Sequence, residues 1–209
     1  MRAAAHGGGP ALALRATERG LGGQIALDLA VWIGQTVRMT RMASESATPL
    51  SELADRVAGA LTSPSEGAPH YAVALRSVAE AFGAVSATLH RADANAQQLH
   101  MVAQLGLPEP LIALTRQIPF GKGIAGLCAA QREPITLCNL QTDTSGAARP
   151  NAKQTGVAGA ISVPVFGPDG ALVGTLGVGK PEEHTYSPDE IAILGRCAGH
   201  LGNALAASA

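Results

Sequence analysis

Aromatic side chains are scarce in this chain, with one Trp, two Tyr and three Phe among 209 residues. The core is left to Ala, Gly and the branched aliphatics, which pack closely or leave space between layers. Net charge is lacking too: 15 Lys and Arg oppose 16 Asp and Glu, a formal charge of −1. No field of one sign draws nucleic acid or an anionic membrane, so neither is an expected partner. Apolar runs are short, and none approaches the roughly 18 residues of a membrane span. The three cysteines, Cys128, Cys138 and Cys197, are an odd count at spacings that fit neither a zinc module nor a CxxC redox pair. Small buried thiols in a reducing cytoplasm are the expectation. The six histidines include no i, i+4 pair, so local sequence gives no metal site.

What is present falls into an ordered series of short elements. Residues 1–48 read as an N-terminal extension, broken at Gly7-Gly8-Gly9-Pro10, with one helix expected near Gln24 to Thr36. Arg2 and the Ala-rich start have the look of a signal peptide, but no clean apolar segment precedes a cleavage site. Translation from Met39 or Met42 is an alternative that would remove the extension. Residues 49–209 then form one domain. Leu50, Leu53, Val57 and Leu61 predict an amphipathic helix with Thr48 as N-cap and Pro49 in its first turn. After a Pro/Ser/Gly linker over 63–69, Tyr71, Leu75, Val78 and Phe82 predict a second helix ending at Gly83.

Alternation then replaces helical spacing. Val85, Ala87 and Leu89 alternate with Ser86, Thr88 and His90, and Leu99, Met101 and Ala103 with His100, Val102 and Gln104, which predicts a hairpin turning at Asp93-Ala94-Asn95. A short helix over Leu107 to Leu114 leads to Ile118-Pro119-Phe120-Gly121-Lys122-Gly123-Ile124-Ala125-Gly126, a glycine-rich turn that opens a helix over Ile124 to Ala130. A brief strand at Ile135 to Leu140 precedes a polar loop, Thr142 to Gly156, long enough to be functional or mobile. A second hairpin, Ile161 to Phe166 with Leu172 to Val178, contains Pro164, which implies an unpaired edge or a bulge there. Ser187-Pro188-Asp189-Glu190 is a capping box with Pro at the first helical position. It opens a last helix, in which Ile191, Leu194, Ala198, Leu201 and Leu205 form one stripe. That stripe packs on the sheet or pairs with the Pro49 to Leu61 helix, within the chain or across a dimer. The whole is an α+β domain with an antiparallel sheet of about five or six strands and helices mainly on one face.

Three segments in order, GKGIAGLCAAQREP from Gly121, AISVPVFGPDGALVGTLG from Ala160 and YSPDEIAIL from Tyr186, resemble the GAF domain, over approximately Ser51 to Ala207. The resemblance implies a PAS-like sheet with helices behind and a ligand pocket in front, in a family of small-molecule sensors that often dimerise through terminal helices. The central loop is also similar to that of free methionine-R-sulfoxide reductases. Their Cys before the closing Gly is Ala125 here, and the Thr142 to Gly156 loop has no Cys. The cyclic-nucleotide signature of the family is matched only by Asn151 and Lys153, and neither haem nor bilin attachment has a supporting motif.

The expected function is thus a stand-alone, cytoplasmic, non-catalytic sensor that binds an unidentified small molecule and signals through a homodimer or a separate effector protein. The candidate ligand contacts are Phe120 and Cys128 from the central loop and its helix, Cys138 and Asn139 at a strand end, and Asp143, Arg149 and Lys153 from the long loop. Ser162 and Thr175 are expected to face the cavity from the sheet. Arg149 and Lys153 are the groups suited to an anionic ligand. Two alternatives stand beside this reading. One is a thiol-dependent reductase that uses an exposed Cys128 or Cys138 of lowered pKa. The other is a dimerising interaction protein with a vestigial pocket, its interior filled around small residues such as Ala160, Gly174 and Gly177.

Overall fold

The alternation in Ser86–Asp93 sorts apolar and polar side chains to opposite faces of a strand, and this strand, β1, lies at the centre of the sheet. In the computed structural model, which describes residues 49–62, 70–145 and 156–208, it is flanked by β2 (Gln98–Leu105) and β6 (Leu172–Gly179). With β3 (Gln117–Pro119), β4 (Ile135–Leu137) and β5 (Ala160–Phe166) the order is β3-β2-β1-β6-β5-β4, antiparallel throughout. The expected α+β class is the one observed, with six strands. The extension over 1–48, the Thr48 cap, the 63–69 linker and the middle of the long loop lie outside the described residues.

Three helices cover the back of the sheet. A 3₁₀ turn at Leu50–Glu52 leads into α1 (Leu53–Thr62), and α2 (Tyr71–Phe82) follows and stops at Gly83. The last helix, α5 (Pro188–Ala207), begins with the capping box read from sequence: the Glu190 N–H donates to Ser187 Oγ, and the Ser187 N–H donates to the Glu190 carboxylate at 2.8 Å. Leu53, Leu75, Leu89, Leu176, Leu194, Leu201 and Leu205 are all sealed from solvent in one cluster. Each contributes about 1.5–3 kcal/mol by burial. Helices α1 and α5 share that cluster, so the apolar stripe of α5 meets both the sheet and the first helix within the chain.

Two irregularities change which side chains face where. Leu89 pairs with Ala103 but His90 with Met101, so Val102 is an extra residue in β2. The bulge reverses the alternation read from sequence: Ala103 and Leu105 pack with the back cluster, whereas Leu99 joins Ile118 and Ala129 in a separate front cluster. The second shift falls between Val165 and Phe166. Pro164 stands just before it, beyond Ser162, where pairing with β4 ends. The missing N–H of Pro164 therefore costs no ladder bond on that edge.

Candidate functional site

The front face of the central strands is made of small and polar side chains. Register places Ser86, Thr88 and His90 of β1 opposite Gly179, Gly177 and Thr175 of β6, and those in turn opposite Ala160, Ser162 and Pro164 of β5. Directly paired residues share a face, so Thr88, Gly177 and Ser162 form one row across three strands. The two glycines make room for their neighbours: a Cβ would lie 2.6 Å from Thr88 Oγ1 at Gly177 and 2.6 Å from Ser86 Oγ at Gly179. A floor with so little side-chain volume leaves space above it.

A roof closes that space. Two short helices cross the front: α3 (Glu109–Thr115), and α4 (Gly123–Gln131), which starts from the glycine-rich turn. Gly121 and Gly123 have φ of +77° and +65°, values that side-chain-bearing residues resist, and they let the chain reverse within a few residues. Gly126 then carries α4 hard against the Pro119 carbonyl, where a side chain would not fit. Between floor and roof lies a cavity of about 170 Å³. Leu111, Leu114, Ile118, Ile124, Leu140 and Val157 are among its apolar lining, and Ser86, Thr88, His90, Thr115 and Ser162 among its polar lining. Lys122 is exposed and is the one charged residue among the described lining.

His90 is 1% exposed, and its Nε2 lies 2.9 Å from the Thr115 carbonyl oxygen. A carbonyl only accepts, so Nε2 carries the proton. Burial lowers the His90 pKa from its ordinary value; the bond to Thr115 opposes this and nearby His100 adds to it. The imidazole is therefore neutral at pH 7 and its Nδ1 is a lone-pair acceptor. That atom has no hydrogen-bond partner, and neither does the hydroxyl of Thr175 opposite it. Buried polar atoms are nearly always paired, so two orphans in one row of the sheet stand out.

The residues singled out from sequence are distributed unevenly around this cavity. Ser162 lines it. Thr175 is buried beside His90 in the next row but outside the lining. Phe120 packs with the Leu99 and Ile118 cluster. Cys128 is sealed inside α4, and burial pushes its thiol up to about 12, opposed by the Ser162 hydroxyl. Cys138 is exposed and its sulfur accepts from Thr185 Oγ1 at 3.5 Å. Asn139 bonds to the Glu183 carboxylate and caps the following turn through Gln141 N–H, and Asp143 accepts from Ser145. Arg149 and Lys153 lie outside the described residues. Ser86, Thr88 and His90 were not among the sequence candidates. Their shared face was visible in the alternation, and the glycines of β6 were the sign that this face is covered.

Among the described residues no cluster of His, Cys, Asp and Glu is suited to a metal, and no helix is long and apolar enough to cross a membrane. The shape is shared with solved structures of low sequence identity. The GAF domain of a phosphoenolpyruvate-protein phosphotransferase from Coxiella burnetii superposes with a TM-score of 0.66 at 21% identity, covering 78% of this chain and 96% of that one. The corresponding Acinetobacter domain gives 0.63 at 16%, covering 76% and 94%. A free methionine-R-sulfoxide reductase from Neisseria meningitidis, in complex with its substrate, gives 0.61 at 19%, covering 78% and 94%. Comparison with curated proteins gave no match. Residues 70–206 match the GAF domain family, and with the six-stranded sheet and its roofed front face this places the chain in that family.

Proposed function

We propose that this GAF domain is a non-catalytic sensor whose ligand occupies the cavity between the sheet and the α3–α4 roof. The observation that carries the reading is the cavity itself, about 170 Å³ above a floor with unpartnered polar atoms. A space of that order, when lined by aliphatic side chains, accommodates a single aromatic ring. Its open interior also speaks against a pocket filled in by neighbouring side chains.

The route out of the cavity runs through the sheet. Strands β5 and β6 carry Ser162 and Gly177 on the cavity side and Ile161, Val163, Leu176 and Val178 on the back, where they share one core with α1 and α5. A ligand that moves these strands moves the helices that rest on them. The output is a contact made by α1 and α5, in a homodimer or with a separate effector protein.

A thiol reductase finds less support. None of the three cysteines lines the cavity. Burial pushes the thiols of Cys128 and Cys197 to about 12 and about 11, so neither supplies a thiolate at pH 7. Native mass spectrometry of the purified chain tests the sensor reading, since a co-purifying small molecule appears as a discrete mass increment. A bare mass, together with turnover of free methionine sulfoxide that is lost in Cys138→Ser, would replace that reading with the enzymatic one.

A further inference from the structure

Among the described residues, only Gln97 and Arg132 carry a side chain at positive φ. Gln97 lies in the β1–β2 turn, where its own amide donates to the Ala94 carbonyl at 2.7 Å. Arg132 is placed differently. It ends α4 with φ +59°, its N–H donating to the Cys128 carbonyl at 2.8 Å, at a helix position that glycine fills without strain. A side chain held there against that preference points to a contact that needs it.

We infer that Arg132 is a latch through which the roof helix α4 sets the position of α5, round the end of β5 rather than through the sheet. Its Nη2 donates to the Gly170 carbonyl at 2.9 Å, and its guanidinium carbon stands 5.2 Å from the centre of the Phe166 ring. Gly170 belongs to the β5–β6 turn, which is closed by the Gly170 N–H on the Gly167 carbonyl at 2.9 Å and by the Ala171 N–H on the Asp169 carboxylate at 3.0 Å. Phe166 ends β5 just past the register shift, and its carbonyl is the one that Gly202 of α5 approaches. One residue thus bears the end of the roof helix on its ring and the back helix on its carbonyl. A tilt of α4 about its glycine turn moves the guanidinium, the ring beside it and the carbonyl against α5. Arg132 is exposed, so one stacking contact and one hydrogen bond favour the closed latch by only about tenfold. An equilibrium of that size is reset by a single new contact on α4. The latch concerns how the roof is tied to α5, whatever occupies the cavity.

The ¹H–¹⁵N spectrum of the full chain tests this with Arg132→Gly. Glycine keeps the left-handed cap, so α4 keeps its end while the latch is cut. The amide resonances of Leu201, Gly202 and Asn203 are expected to move along with those of the β5–β6 turn. Phe166→Leu, which removes the ring and leaves Arg132 in place, is a second cut of the same link. The two variants should displace the α5 resonances in the same direction, and the double variant no further than the larger single one. Movement confined to residues 167–171, or displacements at Gly202 that add in the double variant, overturns the latch and leaves Arg132 a surface contact. Neither result touches the ligand-binding reading, which the mass of the purified chain decides separately.

Discussion

Gly202 of α5 lies so close to the Phe166 carbonyl oxygen of β5 that a Cβ on it would collide with backbone. A backbone carbonyl in a paired strand has no room to retreat, so Gly202→Ala must push the helix from the sheet. A loss of about 1–3 kcal/mol is expected in urea unfolding. Gly195, on the same helix with nothing near its missing side chain, supplies the control. Gly195→Ala should stabilise by roughly 0.5–1 kcal/mol through helix propensity alone. Equal effects at the two sites would show that the close approach is not maintained in solution.

Thr175 offers a test of whether the floor is built for binding at the expense of stability. Its hydroxyl is fully buried and has no partner, and valine has nearly the same shape. Thr175→Val is expected to raise the stability of the ligand-free protein by about 1–2 kcal/mol, since it removes a buried polar group that gains no bond. A lower midpoint in chemical denaturation would mean that the hydroxyl is satisfied.

Acid should weaken the fold through His90. Its folded pKa lies below the ordinary value of 6.5, so the unfolded chain binds the proton more readily. Stability is then complete above about pH 6.5 and falls as the pH drops below it, with a slope of at most about 1.4 kcal/mol per pH unit from this one group. Glu190 adds a second limb at lower pH. Burial works to raise its carboxyl, but hydrogen bonds from the Ser187 N–H and from His184 outweigh this and hold it below 4.5, so this contribution goes as the pH falls past that value. Thermal unfolding between about pH 2 and pH 8 should show both limbs, and His90→Gln should flatten the upper one.

The three thiols should react in a fixed order. Cys138 is exposed, whereas Cys128 and Cys197 are sealed and held as protonated thiols. Iodoacetamide at pH 7.5 followed by peptide mass spectrometry is expected to label Cys138 first and the other two at the rate of global unfolding. Early labelling of Cys128 would reopen the reductase reading.

Much of the frame was legible in the sequence because its signals are local. The capping box at Ser187 and Glu190 lies within four residues, and the alternation from Ser86 to His90 needs no knowledge of partners. β3 was not legible: Gln117–Pro119 is too short for any period to register, and it is a strand only because β2 lies beside it. The bulge at Val102 was hidden for the same reason, and with it the assignment of Leu99 to the front. The site was harder still. A polar residue alternating with Ala87 and Leu89 reads as solvent-facing, and His90 is buried only because α3, some 20 residues later, brings the Thr115 carbonyl onto it. Phe120 and Cys128 were favoured by their place in the glycine-rich segment. Where they end up, Phe120 against the front cluster and Cys128 sealed on α4, is set by long-range packing.

The strand order β3-β2-β1-β6-β5-β4 also divides the chain into two consecutive meanders joined at the β1–β6 seam. Each half can zip from its own turns, but the seam joins residues about 90 positions apart and carries the largest loop-closure entropy in the sheet. Thr88 and His90 stand on one side of it, Gly177 and Ser162 on the other. A molecule lying on that floor therefore fastens the two halves together. Its first effect should be on the rate at which the seam parts, read as slower amide exchange along β1 and β6.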